Sequence, residues 1–125
     1  MLKNINMQDL ISFLIEAKQN TYARQAEPAP SKCILSKNYL YLKDEFRYED
    51  QYFGEYLDVG EEIVWYRESP VWGMGYRGSM FPQYRAWSKE VYVFLRKALM
   101  IPPRHFPARG PDVFQEDNLE YINNY

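Results

Sequence analysis

The chain has 125 residues, of which 46% are hydrophobic, and its 15 Lys and Arg against 17 Asp and Glu give a formal net charge of −2. This length is typical of one domain, and we predict a single domain over residues 1–125. The single Cys and the single His exclude an internal disulfide and a Cys/His zinc site. No apolar run approaches the roughly 20 residues of a membrane-spanning helix. We therefore expect a cytoplasmic protein with no metal, no cofactor and no membrane partner.

The charge is distributed unevenly along the chain. Residues 1–66 and residues 111–125 each carry −4, whereas residues 67–110 carry +6. The positive middle segment indicates either a face that binds anions or arginines that pair with the flanking carboxylates within the fold. Because the charge of the whole chain is slightly negative, we do not expect it to bind nucleic acid.

Two segments have the period of amphipathic helices. The first has its apolar stripe at Leu10, Phe13, Leu14 and Ala17. With Asn6 as the N-cap, this stripe predicts a helix over about 7–19. The second stripe follows Ser88, which we predict to be the N-cap of a helix over about 89–100, and two prolines after that helix indicate its end.

Between the helices the period changes to two, which is typical of antiparallel strands. Alternation begins at Tyr39, and two β-rich runs joined by a short turn at 67–70 predict a hairpin over about 56–77. Another strand-like stretch lies at 119–125, after a proline-rich segment at 101–112 that we expect to be extended. The pattern predicts an α+β fold in which a mainly antiparallel β-sheet packs with two amphipathic helices.

Two parts of the chain resemble each other without gaps. Residues 43–52 and residues 116–125 share an Asp, an apolar residue and two Tyr in register. In a chain with 12 Tyr, this similarity is consistent with an internal duplication or with chance. The sequence alone leaves both explanations open.

Several longer motifs extend over nearly the whole chain. They are Phe13-Leu14, Thr21-Tyr22-Ala23, Tyr48…Asp50…Tyr52-Phe53-Gly54, Gly60-Glu61-Glu62…Val64-Trp65, Pro70-Val71-Trp72-Gly73-Met74, Phe94-Leu95 and Arg109-Gly110-Pro111. In these motifs the chain resembles the bacterial domain-of-unknown-function family 5680. The resemblance implies a fold and a frequent position behind an XRE-type helix-turn-helix, but it implies no activity.

The chain departs from that family pattern in three places. No helix-turn-helix precedes the first residue, so the resemblance does not imply DNA binding. Family members usually continue past the position of Tyr125 into another hairpin, which implies that the sheet is incomplete here. The family turn often carries Asp-Gly where this chain has Arg67 and Glu68.

Two adjacent carboxylates, Glu61 and Glu62, lie in the predicted hairpin and must point to opposite faces of the strand. Strict alternation places Glu61 on an apolar face with Leu57, Val59, Ile63 and Trp65. Burial there would raise the pKa of the Glu61 carboxyl or require a cationic partner. A bulge at Gly60 is the alternative, because it would return Glu61 to solvent. Side chains on opposite faces cannot flank one bond, which argues against paired-carboxylate hydrolysis.

The aromatic residues give the clearest indication of a binding site. We predict a ligand-binding site formed by Tyr52, Tyr56, Trp65, Trp72 and Tyr76 together with Glu61 and Glu62. Aromatic walls with a carboxylate suit a small aromatic or cationic ligand. The alternative is that these rings form the core beneath the helices.

Three functions fit these features, and they belong to different classes. The first is a non-enzymatic small-molecule-sensing or interaction domain. The second is an enzyme that uses Glu61 or Glu62 as a base, with Arg77 or Arg85 binding an anion. The third is a protein–protein interaction module with a flat apolar surface. We predict the first, with no catalytic residue and no metal site.

The last stretch of the chain bears on assembly. Residues 119–125 contain one charge and neither Lys nor Pro, so they are poorly protected as an edge strand. We predict a two-fold homodimer in which this stretch or its neighbouring strand pairs with a second copy. A frayed terminus is the alternative.

Overall fold

The computed structural model describes residues 5–124. The elements are helix α1 (Met7–Gln19), strands β1 (Lys37–Lys43), β2 (Phe46–Phe53), β3 (Leu57–Tyr66) and β4 (Ser69–Ser79), helix α2 (Ser88–Leu99), and strands β5 (Val113–Glu116) and β6 (Leu119–Ile122). Strands β1 to β4 form an antiparallel meander in sequence order, and β5 pairs with β6 in a separate antiparallel sheet. This architecture confirms the predicted α+β fold.

Helix α1 packs its apolar stripe on one face of the four-stranded sheet. Its N-terminus is capped by Asn6, whose side-chain oxygen accepts a hydrogen bond of 2.8 Å from the backbone N–H of Gln8. The stripe residues Leu10, Phe13, Leu14 and Ala17 form the core together with Tyr48 and Val64 of the sheet. Among the described residues, neither helix has the length and apolar character needed to cross a membrane.

Helix α2 begins differently from the prediction. Residues Pro82–Trp87 form a 3₁₀ helix that runs directly into α2, and Trp87 takes the N-cap position. The prediction that Ser88 is the N-cap is therefore wrong, because Ser88 already has a helical backbone. The helix packs on the second sheet, where the rings of Phe94 and Phe114 stack with centroids 5.3 Å apart.

The segment between α2 and β5 forms turns and bends, so the expectation of an extended segment at 101–112 is wrong. Its prolines interrupt helix and strand hydrogen bonding without aligning the chain beside a partner strand. Gly110 is buried in this segment, and its N–H donates a hydrogen bond of 3.0 Å to the Tyr121 hydroxyl. The segment thereby carries Arg109 to the edge of the four-stranded sheet.

The hairpin turns are tighter than predicted. The turn between β3 and β4 consists of Arg67 and Glu68 alone, and both have positive φ, at 48° and 68°. Two positive φ values are the signature of a type I′ turn.

The two mutually similar segments also share a turn geometry, since Asp44 and Asp117 have φ values of 54° and 53° just before β2 and β6. The internal similarity therefore corresponds to a repeated structural element.

The face of β3 that packs against α1 is the opposite of the predicted one. We call this buried face the inner face; Glu62 and Val64 lie on it and are 4% and 0% exposed. The apolar Leu57 and Val59 lie on the outer face and are 59% and 52% exposed. Glu61 also lies there and is exposed, so its predicted place on a buried apolar face is wrong.

The physical reason is that the inner face is not the most hydrophobic face of the strand. It contains a glycine and a buried glutamate, so alternation of apolar residues identifies the wrong side. The alternative of a bulge at Gly60 is wrong as a mechanism, because the pairing of β3 with β4 is regular from Leu57 to Val64 and shifts only between Val64 and Trp65. Its expectation that Glu61 reaches solvent is confirmed, because Glu61 lies on the exposed outer face.

Candidate functional site

An open cleft lies beside α1 on the inner face of the sheet. Its volume is about 1410 Å³. Strands β2 to β4 form its floor, and the 3₁₀ turn Tyr22–Arg24, helix α2 and residues 79–87 form its sides. Because polar side chains from several elements converge at this floor, the cleft is the candidate functional site.

A buried ion pair joins the last turn of α1 to the sheet. Lys18 Nζ lies 2.5 Å from Glu62 Oε1 and also donates a hydrogen bond of 2.7 Å to the carbonyl oxygen of Ala108. The Tyr48 hydroxyl donates to the same Glu62 oxygen at 2.6 Å. Burial lowers the pKa of Lys18, and the charge of Glu62 opposes that effect. Glu62 thus receives two donors at one oxygen, which holds its side chain at the cleft floor.

A second carboxyl group lies directly beside Glu62. Asp50 of β2 is the cross-strand partner of Glu62 in the register of β2 and β3, and it is 5% exposed. The Tyr76 hydroxyl donates a hydrogen bond of 2.5 Å to Asp50 Oδ1. Burial, and then the neighbouring Glu62 charge, raise the pKa of Asp50 to about 7. Asp50 therefore changes its protonation state near neutral pH.

Each of these two carboxyl groups has one oxygen available to a ligand. Asp50 Oδ2 and Glu62 Oε2 receive no hydrogen bond from any donor within residues 5–124. Glu62 and the ionised form of Asp50 only accept hydrogen bonds, so a ligand that binds this ionised pair supplies N–H or O–H groups. Two oxygens at the floor of the cleft can therefore accept hydrogen bonds from a bound ligand.

Tyrosine rings form one wall of the cleft. The ring of Tyr22 meets Tyr52 edge-on at 6.0 Å and Tyr39 edge-on at 6.1 Å, between ring centroids. Burial raises the pKa of Tyr22 and of Tyr52, so both phenols are neutral at physiological pH. Aromatic edges and neutral hydroxyls provide a wall that contacts apolar groups without adding charge.

The absence of a side chain at Gly60 makes room for Tyr52 and Tyr76 on the cleft floor. A Cβ atom at this position would lie 2.6 Å from the Tyr76 hydroxyl oxygen and 2.6 Å from Tyr52 Cβ. Any larger residue would displace the hydroxyl that binds Asp50. The close approach of two tyrosines across Gly60 therefore explains a glycine in the middle of a strand.

Of the predicted site residues, Tyr52, Glu62 and Tyr76 line the cleft together. Trp72 shares the inner face but packs against the core, with its ring centroid 5.5 Å from Lys18 Nζ. The other predicted residues lie outside the cleft, so the seven residues of the predicted binding site do not form one cluster.

The residues that the structure separates from the cleft are Glu61, Trp65 and Tyr56. Glu61 and Trp65 lie on the outer face, where the guanidinium of Arg47 is 6.0 Å from the Trp65 ring centroid. Tyr56 precedes β3 and contacts the guanidinium of Arg85, 5.0 Å from its ring centroid. These three residues therefore do not form one site with Tyr52 and Tyr76, because Glu61 and Trp65 point to the outer face of β3 and Tyr56 precedes the strand.

Lys18, Asp50 and Arg109 also line the cleft and were not predicted as site residues. Lys18 carried a signal, since it follows Leu14 by four residues and thus extends the apolar stripe of α1 with a charge. Asp50 carried one too, because it alternates with two tyrosines on one face of β2. Arg109 lies in an irregular segment, whose sequence gives no periodicity from which to place it.

Comparison with known proteins identifies a family but no activity. The family model described as "Domain of unknown function (DUF5680)" matches residues 50–125, which is more than half of the chain. No curated protein and no solved structure matches the chain. Within the described residues, no group of three or more His, Cys, Asp or Glu side chains is placed to hold a metal ion.

Proposed function

The chain belongs to the family DUF5680, and we propose that it is a non-enzymatic domain that senses or binds a small molecule in the cleft. The observation that carries the proposal is the pair of neighbouring buried carboxyl groups, Asp50 and Glu62, each with an oxygen that lacks a protein donor. Neither oxygen is among the fully buried atoms that lack a partner, so both are accessible from the cleft, where a ligand can donate to them in place of water.

The chemistry of the site favours an amine-bearing or otherwise donor-rich ligand. One end of the ligand would donate to Asp50 Oδ2 and Glu62 Oε2, and an aromatic or aliphatic part would contact Tyr22 and Tyr52. Stacking and cation–π contacts at such rings each contribute about 0.5–2 kcal/mol. Specificity would arise from the carboxyl pair and affinity largely from the apolar walls.

A thermal-shift screen with aromatic and cationic compounds tests this proposal. We expect some compounds to raise the melting temperature of the wild-type protein and of Glu61→Gln, which alters a carboxylate on the outer face. The same compounds should lose most of their effect on Asp50→Asn, because the amide replaces an acceptor oxygen and removes the charge. Equal shifts in both variants, or no shift with any compound, would overturn the proposal.

An enzymatic alternative is favoured by the position of Asp50, a buried carboxyl group directly across from Glu62. Burial and the Glu62 charge raise its pKa to about 7. A carboxyl group that titrates near neutral pH can act as a general acid or base. Arg77 is exposed on the outer face, opposite Val59 in the register of β3 and β4. Arg85 lies against Tyr56, so neither arginine predicted to bind an anion lies beside Asp50. NMR spectra of a bound compound after prolonged incubation distinguish the two functions, since an unchanged compound supports binding and a new product supports catalysis.

A further inference from the structure

Two arginines face the same cleft without a carboxylate partner. Arg96 of α2 and Arg109 both line it, and neither forms an ion pair with any carboxylate in residues 5–124. The Arg96 guanidinium lies 4.5 Å from the Tyr22 ring centroid, and that of Arg109 lies 5.9 Å from the Tyr76 ring centroid. Tyrosine rings thus hold both guanidinium groups in place beside the floor.

Arg96 also has a buried hydrogen-bond donor that lacks an acceptor. Its guanidinium forms a side-chain hydrogen bond with Tyr39, but its Nε atom is buried and has no hydrogen-bond acceptor among the described residues. A buried donor without an acceptor costs free energy, about 1–3 kcal/mol for an ordinary group. A planar guanidinium matches the two oxygens of a carboxylate, which makes a carboxylate-bearing ligand a suitable counterpart.

The positive and negative groups of the cleft are close but do not neutralise each other. Burial raises the pKa of Asp50 and lowers that of Lys18, and the positive charge of Arg109 opposes the first shift and adds to the second, so its guanidinium acts on the floor electrostatically. No N–O distance between Arg109 and Asp50 is within the 4.0 Å of an ion pair. The cleft is therefore lined by acceptor groups and donor groups that are not paired with each other.

Residues 79–87 add an apolar surface at the side of the cleft. Phe81, Tyr84 and Trp87 line it and are 68%, 49% and 56% exposed. Three exposed aromatic side chains in one short segment are unusual unless something covers them. An apolar group bound between this segment and the tyrosine wall would remove them from water.

From these four observations, and resting on the proposed small-molecule function, we propose that the ligand is a zwitterion of the α-amino-acid type with an apolar side chain. Its ammonium group binds Asp50 Oδ2 and Glu62 Oε2, and its carboxylate binds Arg109 and Arg96. Its side chain contacts the aromatic residues of segment 79–87. Each charge of the ligand thus meets groups of opposite charge, and among them Asp50, Arg96 and Arg109 have no ion-pair partner within residues 5–124.

Matched series of compounds test this inference by calorimetric titration of the full chain. The first series is L-tryptophan, tryptamine, which lacks the carboxylate, and indole-3-propionate, which lacks the amine. L-phenylalanine and L-leucine with their corresponding analogues form the second and third series. In at least one series we expect the amino acid to bind at least about tenfold more tightly than both analogues, since each analogue leaves one set of charged groups unpaired.

The variant Arg109→Gln tests the assigned carboxylate contact. It should weaken binding of the amino acid and leave binding of the amine unchanged, whereas Arg47→Gln, on the outer face of the sheet, should change neither. If the amine binds as tightly as the amino acid, or if no series binds, the zwitterion inference is overturned. A hit in the thermal-shift screen that lacks a carboxylate would then leave the proposed binding function standing.

Discussion

Lys18 is the residue on which the buried charges of the cleft depend. Its ammonium group is the only described cation within ion-pair distance of Glu62, and both side chains are almost fully buried. A buried carboxylate without its cation loses most of the compensation for its desolvation. The ion pair therefore couples the end of α1 to the middle of β3, although the two are distant in sequence.

Replacing Lys18 by Met should lower the free energy of unfolding by about 3–5 kcal/mol, as removal of one partner of a buried ion pair does. Urea denaturation measures this change. The exposed pair of Lys43 and Glu16 supplies a matched control, since Lys43→Met should have little effect. The double variant Lys18→Met with Glu62→Leu should recover much of the loss. Equal effects of Lys18→Met and Lys43→Met would contradict this account.

Asp50 gives the fold a specific dependence on pH. Its pKa rises from 3.8 to about 7 on folding, so the folded state holds an extra proton between those values. The contribution of that proton to the free energy of unfolding is fully present below pH 3.8 and declines as the pH rises toward 7. Relative to Asp50→Asn, the wild type should lose at most about 1.4 kcal/mol per pH unit over this window. Parallel pH profiles of unfolding for the two proteins would contradict the prediction.

At the scale of single elements, helix α1 could be predicted from its sequence, but the side of β3 that is buried could not. Leu10, Phe13 and Leu14 are buried at the expected spacing because hydrophobic burial stabilises this helix. In β3 the residue that faces the helix is Glu62, and its burial depends on Lys18. Such a long-range pairing leaves no mark in the local alternation of apolar residues. The fold class was therefore predictable, while most of the candidate site was not.

The turn between β3 and β4 provides a prediction for one element. Glu68 is exposed and has a φ of 68°, a conformation that glycine adopts without the steric cost of a Cβ atom. Glu68→Gly should raise the free energy of unfolding by about 1 kcal/mol. The control Glu61→Gly, at an exposed strand position with negative φ, should lower it. Loss of stability in both variants would show that the turn is not strained.

At the scale of the whole molecule, the second sheet leaves an exposed edge. Strand β6 pairs only with β5 among the described strands, and it contains neither Lys nor Pro. Its Ile122 side chain is exposed. These features are consistent with the predicted homodimer, which would cover the free edge of β6 with a second copy.

Light scattering after size exclusion tests the homodimer. We expect twice the mass of the chain for the wild type, and a shift toward monomer for Ile122→Lys, because a charged side chain discourages edge pairing. The variant Leu57→Lys, on the outer face of the first sheet, should remain dimeric. A monomeric wild-type chain would contradict the prediction.

The central claim is that a small molecule binds on the inner face of the sheet, at Asp50 and Glu62. The most direct measurement is a set of intermolecular nuclear Overhauser effects between the protein and the compound with the largest thermal shift. The account predicts contacts from this compound to the rings of Tyr52 and Tyr76 and none to the indole of Trp65 on the outer face. Contacts to Trp65 without contacts to Tyr52 or Tyr76 would contradict it.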